Sequence, residues 1–349
     1  MSQLSKNLPL AVLATALYTA FAVYLYRPHF PTFSTWQWLL PANAVAAAVG
    51  SFILSRRWVM GFLGSFLAGT VYGFGPYLLA LGKFHPIAGV LAATIPWLFL
   101  PAAFLGRQRH LAVKVLFAIL PFAVVVLFFL FFRLDAERRF FAAPIQTTLE
   151  PADLVAFIAP LVLLSRTVVL PSLYHVAIAP LILGMGMALK ARRFGILLII
   201  AVGFALTFCR SYLTPDQIAW VGVSPALWLS IPLVCLSVLA GIGLQGLIEA
   251  GASDRMWVLA VAISLGALAA VTLTLAARYF QVILGLADGY ARLFVQAAKM
   301  YLLGAAAMLI VFVMARQQMR LQLLRWVVLA AALGLDIFLG AQYIVDKIL

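Results

Sequence analysis

The sequence predicts an all-α fold: a polytopic membrane bundle of about eleven crossings (ten to twelve), with one re-entrant or interfacial segment near 154–170. Three observations predict it. The 349 residues are 66% hydrophobic and only 10% charged, where a soluble domain is about 45–50% apolar and about 25% charged. Too little polar sequence remains to cover a water-soluble fold, so lipid must be the main solvent. Apolar runs close to the roughly 20 residues of a membrane helix recur along the chain, and basic residues gather in the gaps between them. No linker, low-complexity tract or soluble domain interrupts the series, so residues 1–349 read as one integral membrane domain.

The runs are 8–26, 39–55, 58–82, 86–105, 112–132, 194–209, 226–248, 256–279, 291–315 and 321–345, with one crossing or two more from Leu154–Leu189. The first follows Lys6 and resembles a secretory signal. It is long, lacks a convincing small-x-small cleavage site and leads into more membrane sequence, so it reads as a retained anchor. In the third, Gly61, Ser65, Gly69 and Gly73 recur every four residues. Such a stripe lets a neighbouring helix backbone approach closely, and van der Waals contact then replaces the missing hydrophobic drive. Gly73-Phe74-Gly75-Pro76 should kink this helix near its outer end. The longest polar connection, 133–153, is too small for a catalytic domain.

The run Leu154–Leu189 is the irregular one. Pro151 and Asp153 open it, Pro160 kinks it, and Ser165–Pro171 interrupts it. Its first part, 154–164, spans only about 16 Å as a helix, against a hydrocarbon core of about 30 Å. It therefore dips and returns, or joins the second half as one broken crossing. Unwound backbone at membrane depth needs cover from protein or a water-filled cavity, and transporters place substrates at such breaks. Arg166 would then meet an anionic group, with Tyr174 and His175 as hydrogen-bonding neighbours; otherwise Arg166 snorkels to lipid phosphates. Further on, Thr214-Pro215-Asp216-Gln217 combines an N-cap, a first-turn proline and a capping-box glutamine, predicting a short interfacial helix over 215–221.

Charge sets the orientation. Lys and Arg number 24 against 10 acidic residues, a net +14, scattered in small groups rather than gathered in a basic domain. That pattern excludes a nucleic-acid partner and points to anionic headgroups. With a cytoplasmic N-terminus and one crossing for 154–189, one side receives Arg56–Arg57, Arg107/Arg109/Lys114, Lys190/Arg192/Arg193, Arg255 and Arg316/Arg320. By the positive-inside rule that side is the cytoplasm and the C-terminus lies outside; an inner membrane is the default for a helical bundle. Trp36, Trp38, Trp58, Trp220, Trp228, Trp257 and Trp326 fall near helix ends as interfacial anchors should; Trp97 does not.

Chemistry is sparse. The sequence has no HExxH, GxSxG, P-loop or paired-aspartate motif, so no catalytic residue is assigned. Cys209 and Cys235 form no metal spacing, and His29, His85, His110 and His175 sit near segment ends rather than facing one another at haem depth. No metal or other cofactor is expected. Ionisable residues within the membrane are the best pointers: Lys299 in FVQAAKMYLL and Asp336 in LGLDIFLG. They lie about nineteen and eighteen residues from the turn joining their helices, so helix rise brings them level and predicts that they approach.

Three functions fit. The first is a transporter or permease for a small or lipid-like substrate, anionic if Arg166 meets it, using Arg166, Tyr174, His175, Lys299 and Asp336. The second is a non-catalytic subunit anchoring a larger complex, with protein partners or a second copy on the Gly61/Ser65/Gly69/Gly73 stripe. The third is an enzyme acting on a lipid-linked substrate.

Overall fold

The computed structural model describes residues 2–84, 86–105, 111–136, 157, 178–209, 225–250, 254–282, 288–314 and 322–348. Almost all of these are helical, and none lies in a strand. The helices are α1 (Ser2–Tyr26), α2 (Leu39–Ser55), α3 (Phe62–Gly73), α4 (Pro76–Phe84), α5 (Pro86–Leu98), α6 (Leu100–Phe104), α7 (Leu111–Ala136), α8 (Ile178–Lys190), α9 (Phe194–Cys209), α10 (Pro225–Trp228), α11 (Ser230–Glu249), α12 (Arg255–Val282), α13 (Asp288–Met314) and α14 (Gln322–Ile348). Two 3-10 turns, Arg27–Thr32 and Thr35–Trp38, join α1 to α2. Counting α3 with α4 and α5 with α6, eight helical segments of the described chain are long and apolar enough to cross a bilayer. Three shorter apolar helices accompany them: Leu39–Ser55, Ile178–Lys190 and Phe194–Phe208. This is the make-up of a multi-pass integral membrane protein.

Prolines explain two of the interruptions. Pro76 cannot donate a backbone hydrogen bond, and its ring would clash with the Tyr72 carbonyl if the helix continued. The chain leaves helical geometry at Phe74 (φ −111°, ψ 12°) and restarts with Pro76 as the first residue of α4, where a proline is tolerated. Pro101, the second residue of α6, marks a milder break between α5 and α6 at Phe99, whose backbone stays near helical values (φ −79°, ψ −17°). In contrast, α7 runs on to Ala136, so Arg133 and Asp135 extend the helix instead of opening the 133–153 connection as expected.

The bundle is organised around α11. Every residue from Ser230 to Leu244 is buried, on all sides of the helix, which is how a uniformly apolar helix behaves inside a large bundle. It meets α8 on one side and α3 on another, and both crossings depend on glycine. A Cβ at Gly184 would overlap the Leu239 carbonyl, and one at Gly243 would overlap the Pro180 carbonyl. Gly64 and Gly241 abut each other's backbones across the α3–α11 crossing in the same way. The outer helices leave Leu116, Leu198, Ile263, Leu303 and Leu335 exposed, an apolar surface suited to lipid chains.

Side-chain donors tie the helices together through helix carbonyls, whose second lone pair is free. The Tyr18 hydroxyl donates to Phe66 O at 2.8 Å, linking α1 to α3, and Tyr72 donates to Ala92 O at 2.7 Å, linking α3 to α5. Trp97 Nε1 donates to Ala46 O at 3.1 Å, its indole lying against Gly50. That accounts for a tryptophan away from the interface: it clamps α5 to α2. Trp228 is likewise not an interfacial anchor. It is 4% exposed and packs beside Phe122, because α10 is folded into the bundle.

The contacts also define two ends. Arg57 Nε donates to Ala103 O at 2.8 Å, drawing the α2–α3 turn onto α6, and Arg57 lies within electrostatic range of Arg193. Four residues further on, Gly61 meets Gln245 near the C-terminus of α11. There Arg325 Nη1 donates to Ile248 O at 3.2 Å and Ala250 O at 2.6 Å, and Arg255 lies over the Phe312 ring at 4.8 Å. Arg57, Arg193, Arg255 and Arg325 therefore share one end. At the other, His29 Nε2 meets Asp346 Oδ1 at 3.2 Å. Arg325 and Asp346 are separated by about 32 Å of helix, close to the roughly 30 Å of a bilayer core.

Candidate functional site

Two cavities stand out. The larger, about 700 Å³, is a groove between α7 and α9. Lys114, Val115, Ala118, Ile119 and Phe122 line it from α7, and Gly195, Leu198, Ile199, Val202 and Leu206 from α9. These spacings of three and four residues make one face of each helix. Cys235 and Val238 of the central α11 form the floor, and Leu54, Trp58 and Phe99 close one side. Val115, Ile119, Leu198 and Val202 are exposed, so the groove opens laterally toward lipid. From Arg193 to Leu206 it follows about 20 Å of helix, more than one leaflet of the hydrocarbon core.

The charge lies at one end of this groove. Lys114 and Arg193 are both half-buried there and both line it, while no carboxylate does among the described residues. Arg57, exposed, stands beside Arg193. Burial lowers the pKa of the Arg193 guanidinium, and the charge of Arg57 acts in the same direction. An arginine stays protonated regardless, so the cost appears as repulsion between neighbouring cations. An anion at this end relieves that repulsion, and the guanidinium fork suits a phosphate or carboxylate.

The smaller cavity, about 320 Å³, lies between the start of α8 and helices α13 and α14, touching Leu265 of α12. Its lining is apolar apart from Tyr301 and Asp336. Tyr301 is buried, Asp336 is half-buried, and the two interact electrostatically. Lys299 is exposed and does not line this cavity. Helix rise does bring the neighbourhood of residue 299 level with Asp336, but two residues turn a helix by about 200°. The side that carries Tyr301 toward Asp336 therefore carries Lys299 away.

The other expected residues divide by location. Arg166, Tyr174 and His175, the break at 165–171, and the segments 154–170 and 215–221 lie outside the described residues, Phe157 excepted. In the small-residue stripe, Gly69 abuts Ala48 O and Tyr18, and Gly73 abuts Ala44 O, so this part of α3 is covered by α1 and α2. Gly61 caps the start of α3 against the Gln245 side chain. Ser65 is buried, and its Oγ finds no acceptor among the described residues.

Sequence reasoning used Lys114 and Arg193 only as topology markers. Cations flanking apolar helices look alike whether they snorkel to lipid or cap a groove, so no sequence signal distinguished them. No group of three or more His, Cys, Asp or Glu side chains is placed to hold a metal among the described residues. Comparison with known proteins gives no match to a family model, to a curated protein or to a solved structure.

Proposed function

We propose that the protein is a permease for an anionic amphiphile, which enters the α7–α9 groove sideways from the bilayer. The observation that carries this reading is the pairing of a long, laterally open apolar groove with cations at one end. The apolar walls suit acyl chains, and Lys114, Arg193 and Arg57 suit a phosphate or carboxylate headgroup. A substrate buried on both counts gains from the hydrophobic effect and from charge pairing in a low-dielectric setting.

The topology we propose has eleven crossings: the eight long segments plus the three shorter apolar helices. An odd number puts the termini on opposite sides, in keeping with the Asp346–His29 contact far from the end that carries Arg57 and Arg193. The positive-inside rule then makes that basic end cytoplasmic, in an inner membrane, with the C-terminus outside. Anionic membrane lipids are both surroundings and candidate cargo.

The test is flux. Purified protein in liposomes should move a headgroup-labelled phosphatidylglycerol between leaflets faster than protein-free liposomes, and Lys114→Gln/Arg193→Gln should abolish the difference. Absence of flux in the wild type, with a fixed protein partner retained through mild-detergent purification, would favour the scaffolding subunit instead.

A further inference from the structure

We propose that the α7–α9 groove takes one acyl chain and measures its length against a closed deep end formed by Phe122 and Trp228. The inference rests on the permease reading and narrows its cargo to an anionic lipid with a single chain of about sixteen carbons seated in the slot. It starts from the shape of the groove, which differs at its two ends. At the basic end Gly195 lines the groove, and a Cβ added there would meet nothing within 4 Å. About two turns further along α9, a Cβ at Gly203 would overlap the ring of Pro232, so α9 is pressed onto α11. At that deep end α10 touches both α7 and α9. Its Trp228, 4% exposed, packs against Phe122 with ring centroids 6.1 Å apart. Phe122 and Leu206 are the last lining residues on α7 and α9. The slot is therefore open beside the cations, narrows into the bundle and ends on an aromatic pair.

Size selects the occupant. From Arg193 to Leu206 the slot follows about 20 Å of α9. Along α7, Lys114 to Phe122 gives about 12 Å, to which the lysine stem adds its reach toward the headgroups. An extended hydrocarbon chain advances about 1.2 Å per bond, a third of the roughly 3.6 Å that three backbone bonds span, so about 20 Å holds about sixteen carbons. The volume agrees. A methylene fills about the space of a water molecule in the liquid, roughly 30 Å³. The groove's volume of about 700 Å³ thus holds one such chain with its phosphate and glycerol, but not a second chain. A second chain, where the lipid has one, stays in the bilayer, on the open side lined by the exposed Val115, Ile119, Leu198 and Val202. Because the surroundings are themselves hydrocarbon, burying more methylenes brings no hydrophobic gain, and length is read by fit. A short chain leaves a void whose walls lose their contacts, and a long one is forced against Phe122 and Trp228.

The experiment incubates the purified full chain in digitonin, whose rigid rings do not fit a chain-wide slot, with an equimolar mixture of even-numbered alkyl phosphates from decyl to eicosyl. After washing, the retained species are quantified by mass spectrometry and divided by their uptake into protein-free micelles. Retention should peak at or beside hexadecyl phosphate and fall at least about fivefold by eicosyl phosphate. Phe122→Ala opens the deep end and should move the maximum to octadecyl or longer. Leu206→Trp fills it and should move the maximum to tetradecyl or shorter. If Phe122→Ala fails to fold by size exclusion, the wild-type profile and Leu206→Trp still decide. A profile without a maximum, or a maximum that either folded variant leaves in place, would overturn the proposal; if Lys114→Gln/Arg193→Gln still abolished retention, the permease reading would survive that result. No retention of any alkyl phosphate by the wild type would overturn both.

Discussion

Arg325 is the most informative single side chain for the packing. It is 6% exposed, and one terminal nitrogen donates to two carbonyls at the C-terminus of α11, those of Ile248 and Ala250. Those carbonyls have no partner within their own helix, since the last four of any helix are left over. The cation also faces the negative end of the α11 dipole. Two charged hydrogen bonds contribute about 3–6 kcal/mol. Against this stands the burial of a guanidinium whose Nε has no acceptor among the described residues, a cost of several kcal/mol that methionine would not incur. Arg325→Met, which keeps the length and apolar stem, should therefore destabilise by about 2 kcal/mol net, and Arg325→Lys by less. Helicity followed by circular dichroism through a dodecyl sulfate titration in mixed micelles reads the difference. If Arg325→Met unfolds within about 0.5 kcal/mol of wild type, the arginine is not the cap of α11 and the assignment of the basic end is wrong.

Other substitutions probe other contacts. Gly243→Val places a side chain into the Pro180 carbonyl and should cost about 3 kcal/mol or more by the same titration, because two backbones must separate. Gly195→Ala, with nothing within 4 Å of the added carbon, should be neutral or stabilise by up to about 1 kcal/mol through helix propensity. Asp346→Asn breaks a solvent-exposed pair with His29 and should change stability by at most about 0.5 kcal/mol. Ala118→Trp fills the groove from α7; lipid retention should fall, read by mass spectrometry, while the unfolding midpoint stays within about 1 kcal/mol of wild type.

What the sequence reveals here depends on whether a property runs along a helix or around it. Length and proline position run along it, so α2 was legible to the residue and the break at Gly73–Pro76 was expected where it occurs. Depth also runs along it, which is why residues 299 and 336 were placed level. Azimuth was not legible. In water the apolar stripe of a helix marks its buried face, but in lipid both the buried face and the outer face are apolar. Nothing in LAVKVLFAILPF says that Lys114 and Ala118 face a groove, and nothing near Lys299 says that Tyr301 takes the inward position. Trp97 was misfit for the interface, and only the carbonyl of Ala46 beside Gly50 explains it.

The central claim is that the α7–α9 groove holds an anionic amphiphile through the cations at its basic end. Its most direct test is the phospholipid bound per protein after exhaustive detergent washing, quantified by mass spectrometry for wild type and Lys114→Gln/Arg193→Gln. The account predicts near-stoichiometric anionic lipid on the wild type, in preference to zwitterionic lipid, and its loss from the folded double variant. Equal retention by the two proteins, or no preference for anionic lipid, would contradict it.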